Sequence, residues 1–95
     1  MKLRYTPAAV AELAEVLDYI AERSPQAARS IHARVQAISH LLLQHPRAGQ
    51  LQRRGRLRRI VVYPYPYLIF YQIIDDDIVI HGVRHAARKP SSMPR

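Results

Sequence analysis

The chain has no cysteine, which excludes disulfide staples, thiolate zinc sites and a cysteine nucleophile, and it fits a reducing cytoplasm. Acids are scarce: seven Asp and Glu stand against fifteen Lys and Arg, for a formal net charge of +8. They fall in two places only, Glu12, Glu15, Asp18 and Glu22 near the start and Asp75-Asp76-Asp77 later on. Long apolar runs are missing, and nothing approaches the roughly 18–20 residues of a membrane span. Met1 to Tyr5 leads directly into a helix signal, which leaves no room for a secretory leader. No Gly-rich phosphate loop, nucleophile elbow or paired-carboxylate motif is visible. His81 and His85 would stand about 13 Å apart along a strand and have no acidic or Cys companions, so neither a metal nor a cofactor is expected. A chain of 95 residues makes one domain, residues 1–95, with room for a scaffold and a surface site but not for a deep enclosed pocket.

What is present in excess is arginine. From Gln44 to Tyr63 there is no acid, against Arg47, Arg53, Arg54, Arg56, Arg58 and Arg59. The guanidinium fork suits carboxylate and phosphate alike, so the field implies an acidic partner, either nucleic acid or an acidic protein. The Arg47–Arg59 stretch lacks the interleaved aromatics of a single-strand binder, which favours a solvated loop covered by an acidic protein.

Lys2 to Tyr5 is a candidate first strand. Thr6-Pro7 supplies an N-cap and a proline at the first helical position. Val10, Leu13, Ala14, Leu17, Ile20 and Ala21 then form an apolar stripe. Ser24-Pro25 repeats the device, so one helix ends near Arg23 and a second begins at once. Its stripe is Ala28, Ile31, Val35, Ile38 and Leu42. So short a connection predicts an antiparallel helical hairpin, with Val16 and Leu41 off the stripes as candidate docking positions. His45-Pro46 ends the second helix and Arg47-Ala48-Gly49 turns. Gln50 to Arg56 reads as an exposed loop and Leu57 to Tyr63 as a strand, with Pro64 and Pro66 interrupting the ladder. Leu68 to Ile74 and Ile78 to Arg84 form a β-hairpin about the Asp75–Asp77 turn. Leu68, Phe70 and Ile74 share one face of it and Ile69, Tyr71 and Ile73 the other. One face buries under the helices, and the other is expected to meet a partner or a loop. Tyr63, Tyr65, Tyr67 and Tyr71 read as half-buried packing residues. Residues from about 90 onward lack periodicity and are expected to fray. The fold class is α+β, in the order β-α-α-β-β-β, with the helical hairpin on a small antiparallel sheet.

The helix opening after Thr6-Pro7, the turn His45-Pro46-Arg47-Ala48-Gly49, Leu57-Arg58-Arg59, Tyr67-Leu68-Ile69-Phe70-Tyr71 and Val83-Arg84-His85-Ala86-Ala87-Arg88 together resemble the ParE/RelE superfamily of toxins from type II toxin–antitoxin modules, and the ParE branch fits best. The resemblance implies a cytoplasmic protein held in hetero-oligomers by a cognate ParD-like antitoxin. ParE-type toxins poison DNA gyrase by binding, whereas RelE-type toxins are endoribonucleases that cut mRNA on the ribosome. RelE-like sequences usually carry an Arg after the tyrosine of the strand corresponding to Tyr67, and here that position is Leu68. The nuclease alternative would use His85 as base with Arg59 and Arg88 clamping the phosphate. The sequence also departs from ParE-like patterns, with Lys89 where Asp is common and Gly82 where a longer residue is usual. On the preferred reading Arg58, Arg59, Tyr71, Arg84, His85 and Arg88 form the surface that meets target or antitoxin. A third possibility is a non-toxic corepressor acting with its antitoxin.

Overall fold

The computed structural model describes residues 1–53 and 55–87. Arg54, Arg88, Lys89 and the stretch expected to fray therefore lie outside the described residues. The element order is β1 (Leu3–Tyr5), α1 (Pro7–Arg23), α2 (Pro25–Gln44), β2 (Gln50–Leu51), β3 (Arg58–Val61), β4 (Tyr67–Ile74) and β5 (Asp77–His85). The fold is α+β, as the sequence predicts. None of the described helices is long and apolar enough to cross a membrane.

Both helix starts are capped as the Thr-Pro and Ser-Pro pairs dictate. The Thr6 hydroxyl accepts from the Ala9 amide at 3.1 Å, and the Ser24 hydroxyl accepts from Ala27 at 3.1 Å. Ser24 also closes α1, its own N–H donating to the Ile20 carbonyl at 2.8 Å. One residue thus ends one helix and opens the next. The α2 stripe of Ala28, Ile31, Val35, Ile38 and Leu42 is buried throughout. The α1 stripe sits differently from the expectation. Val10 is 56% exposed, while Ala9 is fully buried; Leu13, Val16, Leu17 and Ile20 pack beside Ala9 against the core. Val16 therefore serves packing, and Leu41 alone of the two off-stripe residues is exposed.

The sheet order is β1-β5-β4-β3-β2. It is mixed: β1 runs parallel to β5, where an antiparallel sheet was expected, and the remaining neighbours are antiparallel. The chain passes through two helices and three strands before it reaches β5, the neighbour of β1, a long enough excursion for parallel pairing. Two residues of the expected loop, Gln50 and Leu51, pair with Arg59 and Arg58 and form the outermost strand. The β4–β5 turn places Asp75 and Asp76 at φ of 50° and 67°, the left-handed geometry that tight hairpins need and Asp tolerates. Asp77 is the first residue of β5.

Opposite Phe70 and Tyr71 stand Gly82 and Ile80, so His81 is the extra residue of a β-bulge. The bulge flips the alternation along β5: Ile78, Ile80 and Val83 all face the helices, in one core with Tyr67, Ile69 and Tyr71. Leu68, Phe70 and Val79 lie outside that core on the far face, yet they are only 5%, 3% and 2% exposed. The far face was expected to await a partner or a loop; at its centre it is already withdrawn from solvent within the chain.

Candidate binding surface

Two side-chain assemblies stand out, one on each side of β4. The first is at the C-terminal end of β5, past the point where β1 stops pairing. There the amide of Val83 would face outward, and Glu12 of α1 meets it: Oε1 accepts from the Val83 N–H at 3.0 Å, and Oε2 bonds the Arg84 guanidinium at 2.8 Å. The carboxylate caps an open strand edge, which blunts it against stray pairing, and it fixes Arg84. Both side chains are mostly covered, 21% exposed for Arg84 and 25% for Glu12. This is the single ion pair among the described residues. The Arg84 Nε is buried without a hydrogen-bond partner, so Glu12 carries most of the compensation for that charge.

Beside the pair lies a groove of about 650 Å³, lined among others by Glu15, Tyr19, Tyr67 and His85. His85 presents its ring edge-to-face with Tyr67, centroids 5.2 Å apart. Its Nδ1 accepts from the Ala87 amide at 3.0 Å. A neutral ring with Nδ1 as acceptor carries its proton on Nε2, so Nε2 is a donor in this arrangement and the Nδ1 lone pair is engaged.

The second assembly is the turn at residues 45–49 and the start of β3. Tyr71 is fully buried; its hydroxyl donates to the Pro46 carbonyl at 2.7 Å and accepts from the Gly49 amide at 2.8 Å. Burial pushes the Tyr71 phenol up from its ordinary pKa, against the opposing pull of the Gly49 hydrogen bond and the Arg58 charge. A Cβ on Gly49 would fall 2.6 Å from the Tyr71 ring and hydroxyl, which explains the glycine. The Arg58 guanidinium donates to the Gly49 carbonyl at 2.9 Å and to that of Arg47 at 3.4 Å. Arg59 reaches the Gln50 amide oxygen at 3.1 Å.

These positions redistribute the residues picked from sequence. Tyr71, assigned there to the binding surface, has no surface to offer and instead holds the turn from beneath. Arg58 is partly spent on the same turn. Arg84 and His85 do share one rim. His85 pairs with Tyr67, on the helix-facing side, whereas Arg59 pairs with Phe70, on the far side, so two of the three residues of the nuclease alternative lie on opposite faces. Arg88 lies outside the described residues. His81 bonds Gln72 at 2.8 Å, and among the described residues no three potential metal ligands gather. Glu12 was missed: in sequence it is one acid of a solvated helix face, and nothing local announces a strand edge 71 residues away.

A strand, a capped helical hairpin and a bulged, mixed sheet with an ionic rim at the end of the last strand make up the scaffold. The family described as the ParE toxin of the type II toxin–antitoxin system, parDE, matches residues 3–90. Toxin RelE2 of Caulobacter vibrioides is 38% identical over 84 residues, 88% of this chain and 93% of that protein. A solved structure described as the chromosomal ParDE TA system from P. aeruginosa superposes with a TM-score of 0.70 at 19% identity, covering 90% of this chain and 95% of that one; this likeness concerns the fold. The chain belongs to the ParE toxin family of type II toxin–antitoxin systems. That family membership implies a cognate antitoxin as partner.

Proposed function

We propose that this toxin acts in the cytoplasm by binding, with DNA gyrase as its target, and that a ParD-like antitoxin neutralises it in a hetero-oligomer. The observation that carries the reading is the separation of His85 from Arg59 by the thickness of the sheet. Attack of a 2′-hydroxyl on its phosphate needs a base and a cation converging on one site. Here Arg59 lies on the opposite face from His85, whose Nδ1 accepts from the Ala87 amide, and the cation that does share its rim, Arg84, is tied to Glu12. Leu68 adds no charge to the far face, being buried opposite Arg84. The Glu12–Arg84–His85 rim, by contrast, is fixed by an ion pair, a strand-edge hydrogen bond and a ring contact, which supports its use as a recognition edge.

Expressing the chain alone from an inducible promoter tests this. Growth arrest with linearised plasmid, lost supercoiling and intact transcripts is the expected result. Cut transcripts with normal supercoiling would replace it with the endoribonuclease reading, and unimpaired growth with operator binding beside an antitoxin would replace it with the corepressor.

A further inference from the structure

The groove beside the Glu12–Arg84 pair is opposite in charge to the chain as a whole. Glu12 and Glu15 line it with Arg84 as the one Lys or Arg, in a chain of formal net charge +8. Glu12 is committed to Val83 and Arg84. Glu15 is exposed and, among the described residues, its carboxylate makes no ion pair or hydrogen bond. Val16 and Tyr19 continue this wall of α1 at helical spacing, and Tyr19 is 57% exposed.

The chain itself leads into the groove. At the end of β5 the Ala86 amide donates to the Pro66 carbonyl at 2.8 Å, and the Ala87 amide donates to His85 Nδ1 at 3.0 Å. These two bonds direct the backbone so that Ala87 is part of the groove lining. Residues 88–95 follow, with the cations Arg88, Lys89 and Arg95 and no acidic side chain.

We propose that residues 88–95 lie in this groove as a strap, with Arg88 and Lys89 on the Glu15 carboxylate and the stretch from Pro90 onward over Val16 and Tyr19. Reach permits it. Eight extended residues span up to about 26 Å, and the α1 wall from Glu12 to Tyr19 is about 10 Å long. Pro90 and Pro94 suit an extended course, because a residue before proline is steered away from helix. A short tether holds the tail at a roughly millimolar local concentration, so a contact too weak to retain a free peptide suffices within one chain. A separate basic protein lacks that advantage and must displace the tail. So seated, the strap covers Arg84 and His85, and the rim opens to a target only when the strap lifts. That consequence rests on the binding reading above; the seating does not.

The test places a nitroxide spin label on the full chain and reads amide intensities by NMR. Because the chain has no cysteine, Ser92→Cys gives a single labelling site. The amides of Glu15, Val16 and Tyr19 are expected to lose most of their intensity, while those of Gln50 and Leu51, on the outermost strand, keep theirs. Glu15→Arg in the same labelled chain should restore the α1 amides with the melting curve unchanged, since the position is exposed. No loss along α1, or equal loss over the whole surface, would overturn the seating. Loss that survives Glu15→Arg would overturn the contact of Arg88 and Lys89 with that carboxylate. An equal mixture of isotope-labelled chain without nitroxide and nitroxide-bearing chain without isotope should show no loss. Loss there as strong as within one chain would overturn the strap and assign the groove to the tail of a second copy. No target enters this experiment, so failure of the seating leaves the toxin reading standing, and a chain that leaves gyrase unaffected leaves the seating standing.

Discussion

Glu12 offers the sharpest test of how the rim is built. Glu12→Ala removes two interactions at once, the acceptor for the Val83 amide at 3.0 Å and the partner of Arg84 at 2.8 Å. It also leaves a guanidinium whose Nε is already buried and unpartnered. A charge-assisted hydrogen bond contributes about 1.5–3 kcal/mol, and stranding a partly buried cation adds to that, less whatever solvent reaches it at 21% exposure. The expected loss is about 2–4 kcal/mol, a large share of the stability of a domain this size. At roughly 4–8 °C per kcal/mol, melting should fall by about 8–30 °C. Glu12→Gln separates the two parts, because its carbonyl still accepts from Val83 while the charge is gone, and about half the loss should return. Urea unfolding with unchanged slope gives the numbers directly. A loss below about 0.5 kcal/mol in Glu12→Ala would show that the carboxylate is an ordinary surface acid and that the rim is held by something else. Equal losses in the Ala and Gln variants would assign the whole effect to charge and none to the strand-edge cap.

Three further outcomes concern the turn at residues 45–49 and the sheet. Tyr71→Phe should cost about 1–3 kcal/mol, because the Pro46 carbonyl and Gly49 amide lose their partner together; near-wild-type urea unfolding would refute the anchoring role. The raised phenol pKa has a definite sign: the folded state keeps its proton more tightly, so the associated stability is intact below the ordinary tyrosine pKa near about 10 and is lost as pH climbs through the raised value. Tyr71→Phe should lose that part of the alkaline slope, and a spectrophotometric tyrosine titration should lose a ring that ionises above the ordinary value. Gly49→Ala should cost about 1–3 kcal/mol through collision with the same ring, measured by thermal melting, and combining it with Tyr71→Phe should cost less than the sum because one clashing atom is gone. Leu68→Arg should destabilise by about 2–4 kcal/mol, since the position is 5% exposed and faces Arg84 across the ladder; an unchanged urea midpoint would show that the far face opens readily.

What was legible in the sequence was local. Thr6-Pro7 and Ser24-Pro25 name both helix starts, the α2 stripe is fully apolar at its helical spacing, and the Asp run marks the hairpin turn, though only Asp75 and Asp76 make it and Asp77 already pairs in β5. The errors share a physical cause in distance. On α1 the eye follows Val10 because valine is the larger apolar residue, yet the sheet approaches so closely that the buried position belongs to Ala9. The parallel β1–β5 pairing joins Leu3 to Ile78, a partnership no window of neighbouring residues contains. The His81 bulge adds one residue to the hairpin count and so reverses which β5 side chains face the helices. Of the candidate residues, Arg84 and His85 line one groove at the end of the last strand, as their neighbouring positions suggest. Tyr71 was misassigned, because an aromatic on a strand reads the same whether its hydroxyl meets solvent or a buried turn.

Ser24 has one more consequence. Because a single residue supplies the amide that closes α1 and the hydroxyl that opens α2, rotating its backbone breaks both ends together. The hairpin therefore has no slack link, and its helices behave as one lever against the sheet. Protection of the Ser24 and Ala27 amides from hydrogen exchange should rise and fall in step, reporting one opening event for two helices.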